Sequence, residues 1–283
     1  MPNCINPAKH LGLQRPVRQI SLDLQMQRLR ILTFNIAHGR GLSPFQGLHG
    51  ARRFERNLRK IARLFREIKP DIVALQEVDE NSRWSGSFDH LDYLRVHADF
   101  PHAVIGVNNR RAGGYHLNYG NAILSRHPIA TWDNVTFGEN KVGEKGFLFA
   151  EVDIGGRLLP VVNLHLHYRS RLHRFRQIEK LMEYLNARRE HRHAQWAAPP
   201  ILCGDLNNPS HRLDATASLF RYFSLHGHYT LHPAHGASTF PSPWPQRSLD
   251  FIFLPPPCRT VTSEVVPSLL SDHRPVMVEF TLK

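Results

Sequence analysis

The sequence predicts an α/β fold in which two β-sheets pack together with helices outside. Three observations lead there. A strand, helix, strand order opens the patterned region. Apolar runs of strand length then far outnumber helical ones, which disfavours a simple doubly wound sheet. Acids, amides and imidazoles recur just past the ends of these runs, where α/β proteins build their sites.

Taken in order, Arg30 to Phe34 alternates and then turns apolar, a strand that delivers Asn35 to a sheet edge. Arg52 to Ile68 is a helix, because Phe54, Leu58, Ile61, Ala62, Phe65 and Ile68 share one face and basic residues the other. Pro70 ends it. Ile72 to Leu75 is a short buried strand with Gln76 and Glu77 at its exit. Asn121 to Leu124, Phe147 to Ile154 and Leu159 to Leu166 read as further strands. Leu172 to Leu185 has helical spacing at Leu172, Phe175, Ile178, Leu181, Met182 and Leu185. The charged run Arg188 to Arg192, followed by Ala197, Ala198, Pro199 and Pro200, reads as a helix end and a loop before the strand Ile201 to Cys203. Leu249 to Leu254 and Val276 to Leu282 complete the strands.

With 283 residues, 41% of them hydrophobic, the chain has ample material for a packed core. Candidate site residues run from Asn35 to His273 without a linker-like tract, so residues 29–283 are expected to form one domain. Residues 1–28, with Pro2, Pro7 and Pro16 among basic residues, read as a flexible N-terminal extension. There is no internal repeat or low-complexity segment. A formal charge of +12 attracts polyanions, whether nucleic acid, anionic lipid headgroups or small phosphorylated molecules, and does not choose among them. Three cysteines, Cys4, Cys203 and Cys258, exclude a disulfide framework and favour a reducing compartment. No apolar stretch suits a signal peptide or a membrane span. A cytoplasmic monomer is expected, with peripheral contact to an anionic membrane left open.

Three motifs in order, LQEVD (Leu75 to Asp79), GDLN (Gly204 to Asn207) and SDHRPV (Ser271 to Val276), read together as a metal-dependent phosphoesterase. Glu77 at a strand end suits a hard cation such as Mg²⁺, with an amide oxygen from Asn35, waters and substrate phosphate completing the shell. Their plain alternatives are a surface acid and a strand-end cap. Asp205 and Asn207 alternate across Leu206, so both face one side. Asp205 would orient or deprotonate an attacking water while Asn207 holds a phosphate oxygen, the alternative being an Asx-turn. His165 and His167 alternate in NLHLHY; His165 is the stronger candidate for phosphate contact, while His167, a second candidate, fits a structural role better. His273 is suited to proton exchange near neutrality. Asp250, which would be costly alone in an apolar strand, is its expected hydrogen-bond partner.

These motifs resemble those of the endonuclease/exonuclease/phosphatase superfamily, the deoxyribonuclease I-like fold, over about Leu29 to Leu282. The resemblance implies a four-layer α/β sandwich of two mainly antiparallel sheets flanked by helices. By motif match, Asn35 and Glu77 resemble Mg²⁺ ligands, with Mn²⁺ as a substitute metal, and Asp272 an auxiliary carboxylate on the metal side. Asp205 resembles the water-orienting aspartate, Asn207 its phosphate-contacting neighbour, His165 the phosphate-stabilising histidine, and Asp250 with His273 the Asp/His pair. Two segments, YGNAILSRHPI and STFPSPWPQRSLDFIF, are similar to the small bacterial YbhP-type branch. That branch implies a site-lining amide at Asn121 and a phosphate contact at Arg247, against a strand-start cap and a solvated arginine.

The implied activity is hydrolysis of a nucleic-acid or phospholipid phosphodiester by in-line attack of an activated water. The alternative is a catalytically silent member that binds nucleic acid or anionic lipid. The chain departs from abasic-site repair enzymes, because YGNAILS stands near the position of their tyrosine-bearing segment. A zinc site at His226, His228, His232 and His235 is disfavoured, since that Gly-, Pro- and Thr-rich region lacks neighbouring cysteines.

Overall fold

A computed structural model describes residues 27–45, 47, 49–138, 143–208, 219, 221, 228–234 and 237–282. The expected N-terminal extension lies outside these residues except for Gln27 and Arg28, which already belong to the first strand. Of the four histidines weighed as a zinc site, His226 and His235 lie outside them too.

Among the described residues, twelve strands and three α-helices follow one another: β1 (Gln27–Asn35), α1 (Ala51–Ile68), β2 (Ile72–Asp79), α2 (His90–His97), β3 (His102–Arg111), β4 (Leu117–Ser125), β5 (Ile129–Thr136), β6 (Gly146–Ile154), β7 (Arg157–His165), α3 (Arg171–Arg192), β8 (Ile201–Asp205), β9 (Thr230–His232), β10 (Asp250–Leu254), β11 (Arg259–Val265) and β12 (Val276–Leu282). They form two six-stranded sheets, β11-β12-β1-β2-β4-β3 and β5-β6-β7-β8-β10-β9. Each sheet is antiparallel except for one parallel pair, β1/β2 and β7/β8. A parallel pair cannot be closed by a hairpin, and α1 and α3 supply the two crossovers.

The sandwich has four layers because the central strands bury both faces. In β1, Leu29 and Ile31 point into the core between the sheets, with Ile72, Ile123, Ala150, Val161 and Ile252. Leu32 and Phe34 point outward against Leu58, Ile61 and Phe65 of α1 and Leu94 of α2. The second sheet mirrors this, with Phe147, Phe149 and Leu164 covered by Ile178, Leu181 and Leu185 of α3. Each fully buried Phe or Leu contributes on the order of 1.5–3 kcal/mol of transfer free energy. At its C-terminal end α1 turns at Lys69, whose left-handed backbone (φ 55°) lets its N–H donate to the Phe65 carbonyl. Ser170 caps α3 by accepting from the His173 N–H.

Amides cross the inter-sheet core just below one end of the sandwich. Gln76 Nε2 donates to Thr33 Oγ1 at 3.0 Å and to Asn163 Oδ1 at 2.7 Å. Asn163 Nδ2 in turn donates to the Leu75 and Ala122 carbonyls, both at 2.8 Å. These bonds give both side-chain NH₂ groups the partners that an apolar interior would otherwise deny them. Among the described residues no helix is long and apolar enough to cross a membrane.

Candidate active site

The parallel pairs put the ends of β1, β2, β7 and β8 at the same end of the sandwich, and the predicted acids, amides and imidazoles stand there. An irregularity in β2 aims the first of them. Between Leu75, opposite Ala122, and Val78, opposite Gly120, β2 holds one residue more than β4. This bulge leaves Glu77 with φ 55°, uncommon for a residue with a Cβ and costing about 1–3 kcal/mol where it occurs. Gln76 faces the inter-sheet core and Glu77 an open cleft of about 270 Å³.

That cleft is lined by Asn35, Arg40, Glu77, Lys145, His165, Tyr168, Asp205, Asn207, Asp272 and His273. Its centre is Asp205 Oδ2, which accepts from Asn35 Nδ2 at 3.0 Å and lies 3.4 Å from His165 Nε2 and 3.8 Å from His273 Nε2. Register explains the convergence, since Asp205 is paired with His165 on one side and Asp250 on the other. Gly204 makes it sterically feasible: its φ is 139°, and a Cβ there would lie 1.9 Å from the Leu164 carbonyl oxygen. Asp205 Oδ1 accepts the Asn207 N–H at 2.8 Å, so the Asx-turn is present while both residues also line the cleft. Asn207, at φ 50°, also donates its side-chain amide to the Leu166 carbonyl.

Asp250 and His273 form the expected pair, with Nδ1 2.9 Å from Asp250 Oδ2; the Thr239 hydroxyl donates to the same carboxylate at 2.6 Å. Burial opposes charge on His273, but Asp250 and Asp205 outweigh it and raise its pKa well above the ordinary histidine value. Burial and the Asp250 charge raise Asp205 in spite of His273. His165 is shifted the other way, by burial and by Lys145, whose Nζ is 2.9 Å from His165 Nε2. Burial disfavours ionised Glu77, yet His38, Lys145 and His165 hold its carboxyl far below the usual range.

Asn35, Glu77 and Asp272 offer only oxygen donors, a set that fits a hard divalent cation such as Mg²⁺. Asp272 Oδ2 is paired with Arg40 at 2.5 Å, and Asn35 Oδ1 accepts the Ala37 N–H. Ligand atoms of Asp205, Asp250 and His273 also lie within 4.8 Å of one another. The Asp250 carboxylate there is engaged by His273 Nδ1 and the Thr239 hydroxyl, whereas Asn35, Glu77 and Asp272 line the open cleft and meet a hard cation with oxygen alone.

Three sequence candidates stand elsewhere. Asn121 is buried between the sheets, donating to the Gly146 and Asn163 carbonyls, and does not line the cleft. The His167 ring accepts from the Arg169 and Ser170 N–H groups at the start of α3. Arg247 is exposed, with its guanidinium 4.9 Å over the Phe240 ring, which in turn packs 4.8 Å from the His273 ring. Sequence reasoning missed His38, Asp79, Arg40 and Lys145. His38 Nδ1 pairs with Asp79 Oδ2 at 2.8 Å, and its Nε2 lies 3.4 Å from Glu77 Oε2. Trp84 donates to the other Asp79 oxygen at 2.8 Å. The available signals were Asp79 inside LQEVD and His38 three residues beyond Asn35.

A larger groove of about 560 Å³, with Met182, Leu185, Trp196 and Tyr229 in its walls, lies along the far part of α3. Among the described residues no carboxylate lines it, whereas Glu77, Asp205 and Asp272 line the smaller cleft.

A profile of the Endonuclease/Exonuclease/phosphatase family matches residues 32–273. YbhP of Escherichia coli (strain K12), described as uncharacterized, is 28% identical, with 91% of this chain and 98% of that protein covered. Among solved structures, an endonuclease/exonuclease/phosphatase from Beutenbergia cavernae DSM 12333 is 22% identical, with a TM-score of 0.68 over 90% of this chain and 72% of that one. Sphingomyelinase C from Streptomyces griseocarneus is 23% identical, with a TM-score of 0.60 over 89% and 99%.

Proposed function

The chain belongs to the endonuclease/exonuclease/phosphatase family, and from that premise we propose that it is a Mg²⁺-dependent phosphodiesterase acting on a nucleic-acid or phospholipid phosphodiester. The observation that carries this reading is the meeting at Asp205 Oδ2 of Asn35 from one sheet with His165 and the Asp250-oriented His273. A likeness in fold to a sphingomyelinase is in keeping with it.

Asp205, its proton affinity raised by burial, orients the attacking water and accepts its proton. The Asn207 amide and the His165–Lys145 pair receive phosphate oxygens. His273, held charged by Asp250, stabilises the negative charge that builds as the leaving oxygen departs. Asn35, Glu77 and Asp272 would hold the metal, which when bound supplies Lewis-acid stabilisation of a phosphoryl oxygen.

The test is turnover of bis-p-nitrophenyl phosphate with Mg²⁺, with EDTA and with Mn²⁺ in its place. Asp205→Asn and His273→Ala are expected to lose on the order of 10²- to 10⁴-fold in rate. Wild-type rates in both variants would sink the assignment. Plasmid DNA and anionic vesicles assayed side by side then identify what the phosphate is attached to. Absence of turnover, with salt-sensitive binding retained, would bring the silent-binder reading forward.

A further inference from the structure

The end of the sandwich that opens into the cleft also carries most of the exposed large apolar side chains. Phe45 (63% exposed) follows β1, Tyr168 and Leu172 (each 58%) follow β7, Trp244 (78%) precedes β10 and Leu269 (59%) precedes β12. All these segments leave or enter strands at the cleft end. Among the described residues, those elsewhere are Val96, Trp132 and Val261, one each on α2, β5 and β11. Exposed apolar groups gathered around one opening mark an interaction surface. Basic residues intersperse it: Arg52 in the first turn of α1, Arg169 and Arg171 beside Tyr168, and Arg247 over Phe240 are all exposed.

We propose that this apolar and basic rim docks on an anionic phospholipid bilayer, placing the cleft over a headgroup phosphodiester as its substrate. The proposal rests on the phosphoesterase reading and narrows it. Apolar side chains enter the boundary between headgroups and acyl chains while arginines meet anionic lipid, and the two contributions add. Trp244 is suited to that boundary, since tryptophan favours the membrane interface. It stands between Pro243 and Pro245, in a loop closed by the Phe240/Arg247 bridge, so little freedom is lost on insertion. A nucleic-acid surface would use open aromatic faces for stacking. Of the rim side chains named above, Leu172 and Leu269 have none and the Arg169 guanidinium covers Tyr168 at 5.0 Å, so stacking would fall to Phe45 and Trp244 alone.

The full chain is floated with phosphatidylcholine vesicles, with or without phosphatidylglycerol, at low and high salt. Headgroup release and bis-p-nitrophenyl phosphate turnover are followed on the same preparations. Binding is expected to require phosphatidylglycerol and to weaken with salt. A Leu172→Ser, Trp244→Ser, Leu269→Ser triple variant should lose roughly tenfold or more in partitioning and headgroup release. Its turnover of the soluble diester should stay within about twofold of wild type, as these side chains are exposed and outside the cleft. Undiminished vesicle binding by the triple variant, equal binding to neutral vesicles, or binding to a single-stranded oligonucleotide alone would overturn the proposal. His273→Ala should still bind vesicles while turning over neither substrate. Wild-type protein that binds vesicles but leaves the soluble diester intact would fail the phosphoesterase reading and spare the docking surface.

Discussion

His38 shows how a side chain can govern a site from behind it. Its ring, fixed by Asp79 through Nδ1 and flanked by Trp84 and Tyr119, presents Nε2 to Glu77. If Glu77 holds the proposed Mg²⁺, His38→Gln is expected to weaken its binding by about 10- to 100-fold, as lost outer-shell partners usually do. Isothermal titration of the free protein measures this, and unchanged affinity would reduce His38 to packing. At Gly204, alanine would need both a rare backbone angle and room already taken by Leu164, so Gly204→Ala should cost about 3 kcal/mol or more in urea unfolding. A third residue titrates. Burial lowers His232 below its ordinary 6.5, so the folded chain binds that proton less readily than the unfolded one. Its contribution is therefore intact above about pH 6.5 and is lost as pH falls below it. His232→Gln should narrow the drop in Tm between about pH 7.5 and pH 5.5; an equal drop in both proteins would refute this. Asp205, Asp250 and His273 were legible because each interrupts or ends an apolar run that has no other use for a charge. His38, Asp79 and Lys145 were not, since their partners are brought together by the bulge in β2 and the turn after β1, which composition does not reveal.

Among elements, legibility followed burial. The interior strands β1, β2, β4, β6, β7, β8, β10 and β12 stood out as apolar runs, because both their faces are covered. The strands that escaped, β3, β5, β9 and β11, are the four sheet edges. An edge strand has a partner on one side only and tolerates polar and charged residues, so β11, RTVTSEV, is exposed almost throughout and shows no apolar run. The short α2 was missed too; its eight residues bury only His90, Leu91 and Leu94. In α3 the spacing located the helix, although Leu172 faces solvent while Ile178, Leu181 and Leu185 form its buried stripe. Leu181→Ala should destabilise by about 2–5 kcal/mol, and Ser170→Ala, which removes a cap, by only about 1 kcal/mol. Urea titrations of the two variants would check both the size and the order of these effects.

The whole molecule is threaded so that the first sheet is not a contiguous stretch of chain. The first sheet begins with β1 to β4 and is completed by β11 and β12, after the second sheet has been laid down between them. Pairing of β1 with β12, from Gln27 opposite Leu282 to Thr33 opposite Val276, joins the two ends of the described chain, a contact that no local pattern announces. Calorimetry should accordingly record one unfolding transition, and truncation after Leu254 should abolish it; separate transitions for two sheets would contradict this. The amides of Gln76 and Asn163 carry a consequence for folding kinetics. They bridge the sheets directly beneath Asn35 and Glu77 on one side and His165 and Asp205 on the other. A refolding chain with either sheet formed alone would possess half of the cleft, so returning hydrolysis would time the docking of the two sheets and lag behind the return of β-structure.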